Sequence, residues 1–239
     1  MHDSPTQPAS LALMYHRMGS PLRRSLVRGQ YVTAGCLRSH LRTLAALGYR
    51  PTTLAEARRA PGCFALTFDD GYASVGEVAW PILQAAGVTC TMFVVVDAIG
   101  GTNAWDVARG DCVERLADAA ALRALAAAGM EIGCHTLTHA RLPECSEAQL
   151  RAEIVDAKHR LEDLLGRAVP GFSYPYGAWD PRVRDAVIAA GYAYATATQL
   201  GPLTPDVDPF TLPRLNVRWN TVGWLMRRKV ARAYREGAR

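Results

Sequence analysis

The 239-residue sequence lacks several patterns that would define a class of protein at once. Its six cysteines form no C-x-x-C pair, which argues against a zinc site made of cysteines. The cysteines are expected instead to pack as small hydrophobic side chains in the core. No hydrophobic run approaches the roughly 20 residues that a membrane-spanning helix needs. The first ten residues show no basic-then-apolar leader pattern. We therefore expect a cytoplasmic chain with reduced thiols.

Basic strips interleaved with aromatic residues are also missing, so nucleic acid is not an expected partner. The net charge is +5, and much of the excess lies in residues 227–239. This segment is either a solvated helix or frayed end, or a contact for an anionic surface such as a membrane. Charged residues make up 21% and hydrophobic residues 49%, a composition typical of a folded globular domain.

Short apolar runs alternate with amphipathic segments along most of the chain, which predicts βα units around a parallel sheet. We predict one α/β domain over residues 11–225, a distorted (β/α)7 barrel similar to a TIM barrel. A flexible tail is expected over residues 1–10, and a basic C-terminal helix or tail over residues 226–239. Long helices are predicted over residues 112–129 and 146–166, the second with Ser146 and Gly166 as its caps.

Two polar stretches follow predicted strands, where the active sites of β/α barrels lie. TFDDG ends a strand with Asp69 and Asp70, and two adjacent carboxylates can divide the tasks of holding a metal and accepting a proton. HTLTH places His135 and His139 four residues apart, a spacing that brings two imidazoles to one face of a turn or helix. Two histidines and one carboxylate form a common catalytic zinc arrangement. Plain turns with solvated side chains are the alternative.

A third stretch, YPYG, also follows a predicted strand and contains Tyr174 and Tyr176. One interpretation is a simple turn, because Pro-Tyr-Gly favours one. The other is a backbone N–H aimed at a developing oxyanion, with the aromatic side chains as walls of the site.

TFDDG, H-T-x-x-H and YPYG, in this order, resemble the motifs of the polysaccharide deacetylases of the NodB-homology superfamily, carbohydrate esterase family 4. The resemblance covers about residues 11–217. It implies a distorted β/α barrel that binds Zn²⁺ or another divalent transition metal such as Co²⁺ or Ni²⁺, and a reaction that removes N-acetyl groups from amino sugars. It implies Asp69 as the general base and the Tyr176 backbone N–H as an oxyanion contact. The metal ligands that it implies are Asp70, His135 and His139.

The leaving-group acid of this family is usually a histidine in a late Leu-x-His motif, but this chain has no histidine after His159. Among its six histidines, His16 follows a predicted strand outside the H-T-x-x-H motif. The chain is similar to the circularly permuted branch of the family, the poly-N-acetylglucosamine deacetylases, which have an early Tyr-His pair. His16 is therefore expected to be the general acid, and a capping or packed histidine beside Tyr15 is the alternative.

Ser173 marks a second departure, because the family often has an arginine there that pairs with the base aspartate. Arg214, after a late strand, is expected either to replace that arginine or to lie on the surface. Trp105 follows another strand and is expected either to stack on a sugar ring or to cover the core. Together with Tyr174 and Tyr176, it completes the expected substrate-binding residues.

The prediction is a metal-dependent N-deacetylase that acts on an N-acetylated glycan or sugar conjugate. One alternative is a deformylase or another C–N amide hydrolase for a small or lipid-linked sugar. The other is a non-catalytic glycan-binding module, against which the complete Asp-Asp-His-His set argues. No transmembrane segment is expected, and the basic C-terminus is the expected place for any membrane-surface contact.

Overall fold

The structure is a computed structural model that describes residues 8–237. Its strands are β1 (Leu11–Tyr15), β2 (Arg17–Met18), β3 (Tyr31–Val32), β4 (Arg50–Pro51), β5 (Cys63–Phe68), β6 (Thr91–Val94), β7 (Glu131–Cys134), β8 (Gly171–Ser173), β9 (Tyr194–Thr196) and β10 (Leu215–Asn216). Its α-helices are α1 (Ala34–Ala46), α2 (Leu54–Ala57), α3 (Trp80–Ala85), α4 (Ala104–Val107), α5 (Ala119–Ala127), α6 (Glu147–Arg151), α7 (Ala157–Leu165), α8 (Pro181–Ala189) and α9 (Trp224–Gly237).

The main sheet is parallel and curled, and its neighbouring strands run in the order β10, β1, β5, β6, β7, β8, β9, with β4 beside the start of β5. The last segment of the sheet spans its two edges. Leu212 forms a parallel bridge with Thr196 of β9, and Leu215 pairs with Leu13 of β1. Seven strands therefore form a nearly closed ring, and the predicted single-domain α/β barrel is confirmed.

The central strands are buried over their whole length, as in parallel sheets whose two faces are both covered. All six residues of β5 and all five residues of β1 are buried. Because the ring is parallel, the carboxyl ends of these strands meet at one end of the barrel, where barrel active sites form.

The helix predicted over residues 146–166 is present with the predicted caps. Ser146 accepts a hydrogen bond from the Gln149 N–H in a capping box, and Gly166 ends the helix in a left-handed conformation with φ 64°. Between α6 and α7, residues Ala152–Asp156 form a π-helical turn. This turn shifts the side-chain register of the helix where it passes the barrel end, which matters for Glu153 below.

The helix predicted over residues 112–129 is wrong in its first part. Helix α5 begins only at Ala119, after Asp118 accepts the hydrogen bond of the Ala121 N–H as an N-cap. The residues before the cap pair instead with loops of the barrel end, since Leu116 bridges Tyr72. Tertiary pairing and a stronger cap thus override the helical propensity of residues 112–117.

The two chain ends compare differently with the predicted tails, because Ser10 is packed against the barrel whereas residues 226–237 belong to a helix, one of the two forms predicted for the C-terminus. Residues 1–7 of the predicted N-terminal tail lie outside the described residues, but Ser10 is buried and donates its hydroxyl to the Ala60 carbonyl at 2.5 Å. Helix α9 buries Met226, Val230 and Ala233 against the barrel. No helix within residues 8–237 is long and apolar enough to cross a membrane.

Candidate active site

A cavity of about 330 Å³ opens at the carboxyl ends of the strands. It is lined by every side chain that the sequence predicted for the site except Arg214, which lies behind Asp69. Strand β1 contributes His16, β5 contributes Asp69 and Asp70, and β7 contributes His135. The cavity therefore gathers residues that are far apart in the chain, because neighbouring parallel strands end at the same height.

The Asp70 carboxylate, His135 and His139 form a buried set of potential metal ligands. Their candidate ligand atoms all lie within 4.8 Å of one another. Asp70 Oδ1 is 3.5 Å from His135 Nε2 and 3.3 Å from His139 Nε2. Tetrahedral ligands of an ion bound at about 2.0–2.1 Å lie about 3.3–3.4 Å apart. The residues present thus fit a divalent metal ion.

The second ring nitrogen of each histidine is already engaged, which leaves Nε2 for the ion. His135 Nδ1 lies 2.7 Å from the Ser173 carbonyl oxygen, and because a carbonyl only accepts, Nδ1 carries the proton. His139 Nδ1 lies 3.1 Å from the Tyr176 hydroxyl. Burial raises the pKa of Asp70, but its hydrogen bonds to the two imidazoles lower it well below the usual range, so Asp70 is a carboxylate.

Backbone strain within residues 8–237 is concentrated in this site. The non-glycine residues with positive φ are Asp70 (73°), Thr136 (69°), His139 (67°) and Tyr176 (59°). Two of these are candidate metal ligands, and strained backbone of this kind is typical of functional sites. Gly71 continues the strained turn at φ 83°, and a Cβ there would lie 3.1 Å from Val94 Cγ1. The final glycine of TFDDG is thus required by both conformation and space.

Asp69 is bound by Arg214 in a two-pronged ion pair. Arg214 Nη1 donates to Oδ1 at 2.6 Å and Nη2 donates to Oδ2 at 2.7 Å, and both side chains are buried. Burial raises the pKa of Asp69, but the charge and hydrogen bonds of Arg214 lower it more, so the pKa lies below its usual value. The alternative of a surface arginine is wrong, because Arg214 is 0% exposed.

Ser173 makes this pairing compatible with the barrel. Its hydroxyl accepts a hydrogen bond from Arg214 Nη2 at 3.1 Å. Arg214 Nε also donates to the Ala197 carbonyl at 2.9 Å, so the guanidinium is fixed from several sides. A guanidinium therefore contacts Asp69 from the residue that directly precedes β10, and the small Ser173 side chain leaves space for it.

His16 faces the same cavity from the end of β1. Its Nδ1 atom is buried and has no hydrogen-bond partner among residues 8–237. Burial lowers the pKa of His16, and the carboxylates of Asp70 and Asp69 oppose this only in part. The imidazole is therefore neutral at neutral pH in the resting structure, and a proton placed on it is held weakly.

The loop that carries Trp105 is held over the cavity by a buried arginine. Arg17 donates to Asp106 Oδ2 at 2.5 Å and to Asp111 Oδ2 at 2.8 Å, and its guanidinium lies 4.7 Å from the centroid of the Tyr72 ring. The sequence analysis missed Arg17. The available signal was a second charged residue directly after His16, at the end of a fully apolar strand.

The predicted aromatic residues lie close to the ligand set but in different roles. Trp105 stacks on His139 with 4.5 Å between ring centroids and also packs against the core, while its stacking on a sugar ring stays a prediction. Tyr174 is buried, and its hydroxyl donates to the Phe210 carbonyl at 2.9 Å. The Tyr176 ring is 38% exposed and forms an edge contact with His139. Tyr176 is thus the more accessible of the two tyrosines.

Glu153 supports the site and was not predicted from the sequence. From the π-helical turn, its Oε2 atom accepts hydrogen bonds from the Leu137 and Thr138 N–H groups, both at 2.9 Å. Its Oε1 atom accepts the Thr138 hydroxyl at 2.5 Å, while Thr136 Oγ1 accepts from the His139 N–H at 3.0 Å. Glu153 thereby fixes the loop between the two candidate histidine ligands. The signal was a carboxylate on the apolar stripe of a helix.

Comparisons with known proteins show the family and the fold of this chain. The family model described as polysaccharide deacetylase matches residues 56–195. YxkH of Bacillus subtilis is 25% identical over 220 residues, which cover 88% of this chain and 72% of that protein.

Two solved structures show the same fold at low sequence identity. The Streptococcus pyogenes deacetylase PplD superposes with a TM-score of 0.79 at 20% sequence identity. The superposition covers 94% of this chain and 99% of the PplD chain. IcaB of Ammonifex degensii superposes with a TM-score of 0.73 at 21% sequence identity, over 87% of this chain and 91% of the IcaB chain. The family model spans more than half of the chain, so this chain belongs to the polysaccharide deacetylase family.

Proposed function

We propose that the cavity is the active site of a metal-dependent N-deacetylase that hydrolyses the N-acetyl group of an amino sugar. The observation that carries this proposal is a pair of adjacent carboxylates that are held by different partners. Asp69 is kept ionised by Arg214, and the adjacent Asp70 joins two imidazoles in a set that fits an ion. A glycan-binding module has no use for a base beside a metal site.

Asp70, His135 and His139 would hold the ion, and Zn²⁺ is the proposed metal, with Co²⁺ or Ni²⁺ as substitutes. Three protein ligands of these types with an open position are typical of catalytic rather than structural zinc. When bound, such an ion lowers the pKa of a coordinated water and polarises the acetyl carbonyl. The Ser173 carbonyl fixes the His135 tautomer with Nε2 free, and the Tyr176 hydroxyl engages Nδ1 of His139, so both Nε2 atoms face the proposed ion.

Asp69 is the proposed general base. It takes one proton from the attacking water while the water oxygen forms a bond to the acetyl carbon. Arg214 suits Asp69 to this step because it holds both carboxylate oxygens and keeps the group ionised down to low pH. The Tyr176 backbone N–H is proposed as a hydrogen-bond donor to the oxyanion that forms on the acetyl oxygen.

His16 is the proposed general acid. His16 would first take up the proton that Asp69 accepted from the water, and the bond between the acetyl carbon and the sugar nitrogen would break as protonated His16 passes that proton to the nitrogen, so that acetate and a free amine result. An imidazole whose pKa is lowered by burial releases a proton readily to an amine. The position of His16 in the cavity wall, separate from the ligand set, supports this assignment.

Acetate as the product, and a sugar as the substrate, are supported by relatives and by the cavity wall. The related Streptococcus pyogenes deacetylase was solved in complex with acetate, and a chitin deacetylase from Pestalotiopsis sp is 26% identical over 140 residues. The exposed ring of Tyr176 and the edge of Trp105 provide aromatic surfaces on which a sugar ring can pack.

The test is acetate release from N-acetyl-chitooligosaccharides and poly-N-acetylglucosamine oligomers by metal-free protein and by protein loaded with Zn²⁺ or Co²⁺. Only the loaded protein is expected to release acetate. Asp69→Asn is expected to reduce turnover by about 10²–10⁴-fold, since it removes the base. Asp180→Asn is the matched control, because Asp180 caps α8 through the Val183 N–H.

Two results would contradict the proposal. Tight glycan binding without acetate release by the loaded protein would indicate a binding module. Release of formate from N-formyl sugars, with no acetate from any N-acetyl sugar, would indicate the deformylase alternative.

A further inference from the structure

One side of the cavity mouth combines exposed hydrophobic side chains with arginines. It is formed by residues 19–30, in the loop after β2, and by residues 216–228, which connect β10 to α9 and include its first turn. We call these two segments together the basic rim. Leu26 of the first segment and Arg218 of the second both line the cavity, so the segments meet at its mouth.

The basic rim belongs to a part of the chain that has no acidic residues. Residues 8–55 and 209–235 contain no aspartate or glutamate, although the whole chain has 22. Six exposed arginines lie in the rim itself: Arg23, Arg24, Arg28, Arg218, Arg227 and Arg228. The exposed arginines of the rim therefore have no carboxylate within their own segments, although the Leu26 N–H contacts Asp111 of a neighbouring loop, and this excess of positive charge favours an anionic partner.

The exposed hydrophobic residues of the molecule are concentrated in the same place. Five of the eight large hydrophobic side chains that are exposed within the described residues belong to the rim, at 38% to 67% exposure. They are Leu22, Leu26, Trp219, Val222 and Trp224. Single exposed hydrophobic residues need no explanation, but a group of them beside one opening marks an interaction site.

The beginning of α9 shows how the two kinds of residue are combined. Trp224 starts the helix at the cavity end of the barrel, and the Arg228 guanidinium lies 5.4 Å from the centroid of its ring. The opposite face of the helix is buried through Met226 and Val230. Tryptophan and arginine therefore lie on the outer face of a helix that is anchored to the barrel.

We propose that the basic rim is a docking surface for a membrane that contains anionic lipids. Tryptophan is enriched at the membrane–water interface, where its ring lies at headgroup level. Arginines next to it attract anionic headgroups, each by an amount that corresponds to about a fivefold gain in affinity. The rim thus offers both hydrophobic insertion and electrostatic attraction, the two contributions that hold a peripheral protein on a lipid surface.

Anionic lipid explains the rim better than a soluble acidic polymer does. A polymer such as an acidic glycan is bound by arginines and has no use for the exposed aliphatic side chains of Leu22, Leu26 and Val222. A lipid surface uses both, since aliphatic side chains enter the acyl boundary and the guanidinium groups stay at the phosphates. A docked rim would also turn the cavity mouth towards glycans at the membrane surface, a consequence that rests on the proposed function.

The test is sedimentation of the full chain with vesicles of phosphatidylcholine, with and without about a third of phosphatidylglycerol. Binding is expected only to the anionic vesicles, and it should weaken as salt shortens the screening length from about 10 Å at 0.1 M to about 3 Å at 1 M. Acetate release from a soluble oligosaccharide is followed in parallel, so that docking and catalysis are scored separately.

Two pairs of variants separate the rim from the rest of the surface. Arg227→Gln/Arg228→Gln should weaken vesicle binding about 25-fold, and Arg59→Gln/Arg123→Gln, which removes the same charge outside the rim, should change it far less. Trp219→Ser/Trp224→Ser should weaken binding by about tenfold or more, whereas Ile188→Ser, an exposed residue of α8, should not. Thermal unfolding checks that each variant is folded.

Three outcomes would overturn the inference. The first is no binding of the folded chain to anionic vesicles at low salt. The second is an equal loss of binding in the rim arginine variant and its charge-matched control. The third is binding to a soluble polyanion that exceeds vesicle binding and does not change when both tryptophans are replaced.

Discussion

Two parts of the barrel build the candidate active site in different ways. The motif half, residues 63–177, contains β5 to β8 and the loops after them, and it contributes the base and the metal-ligand set. The end half, residues 8–49 and 212–237, contains β1, α1, β10 and α9, and it contributes His16 and Arg214. All four non-glycine residues with positive φ within residues 8–237 lie in the motif half.

The difference concerns how each half fixes its functional side chains. The motif half uses short, strained turns that require particular residues at fixed spacing, which is why they are visible as motifs. The end half places single side chains at the ends of ordinary strands, with no motif around them. The family match over residues 56–195 accordingly includes neither His16 nor Arg214.

The largest expected effect separates the two halves by chemistry. His16→Ala should reduce turnover by about 10²–10⁴-fold, because it removes the proposed acid, and should leave metal content unchanged. His139→Ala, which alters the other half, should reduce metal content as well as turnover. Metal analysis of both purified variants checks this prediction, and loss of metal from His16→Ala would contradict the acid assignment.

The next prediction concerns the ion pair that joins the halves. Arg214→Met should lower the free energy of unfolding by about 3–5 kcal/mol, because Asp69 would be left as a buried charge without its partner. Chemical denaturation measures the loss. The double variant Arg214→Met/Asp69→Asn should recover much of it, and a single-variant cost equal to that of the exposed Arg115→Met would show that the pair is not stabilising.

The third prediction concerns the pH dependence of stability, which in the end half is expected to depend on the buried His40. His40 on α1 donates from Nε2 to the Thr221 carbonyl and accepts the Tyr15 hydroxyl at Nδ1, and burial lowers its pKa to about 4. Between pH 6.5 and about 4 the unfolded chain therefore binds a proton that the folded chain does not. The free energy of unfolding should therefore fall by about 3 kcal/mol as the pH is lowered from 6.5 to about 4.

Variants isolate the contribution of His40 from that of other groups. His40→Gln should remove most of this pH dependence, whereas His159→Gln, on the exposed face of α7, should retain it. Denaturation curves at several pH values measure both. An unchanged slope in His40→Gln would contradict the prediction.

The smallest expected effect concerns Glu153, which holds the loop between the two candidate histidine ligands of the motif half. Glu153→Gln should weaken metal binding by about 10–100-fold, since the amide cannot accept both backbone N–H groups and the Thr138 hydroxyl as the carboxylate does. Competition with a chelator measures the affinity without reference to activity. Glu147→Gln, on the exposed side of α6, is the control, and equal affinities for the two variants would show that Glu153 does not support the ligands.

The sequence allowed more of the motif half to be predicted than of the end half. TFDDG and H-T-x-x-H predict strand ends, turns and a ligand set because each is a local pattern. The helix predicted over residues 112–129 failed in its first part because residues 112–117 pair with loops that are distant in sequence. Arg17 and Glu153 were missed for a similar reason, since their partners lie 89 and 16 residues away.

The sequence by itself determined the alternation of strands and helices, the strained turns and the family, because these depend on periodicity and on residues that are close in the chain. Only the tertiary structure decided that Arg214 holds Asp69 and that one side of the mouth is cationic and apolar. Closure of the ring by residues 212–216 brings the two chain ends together, and no local pattern contains that contact.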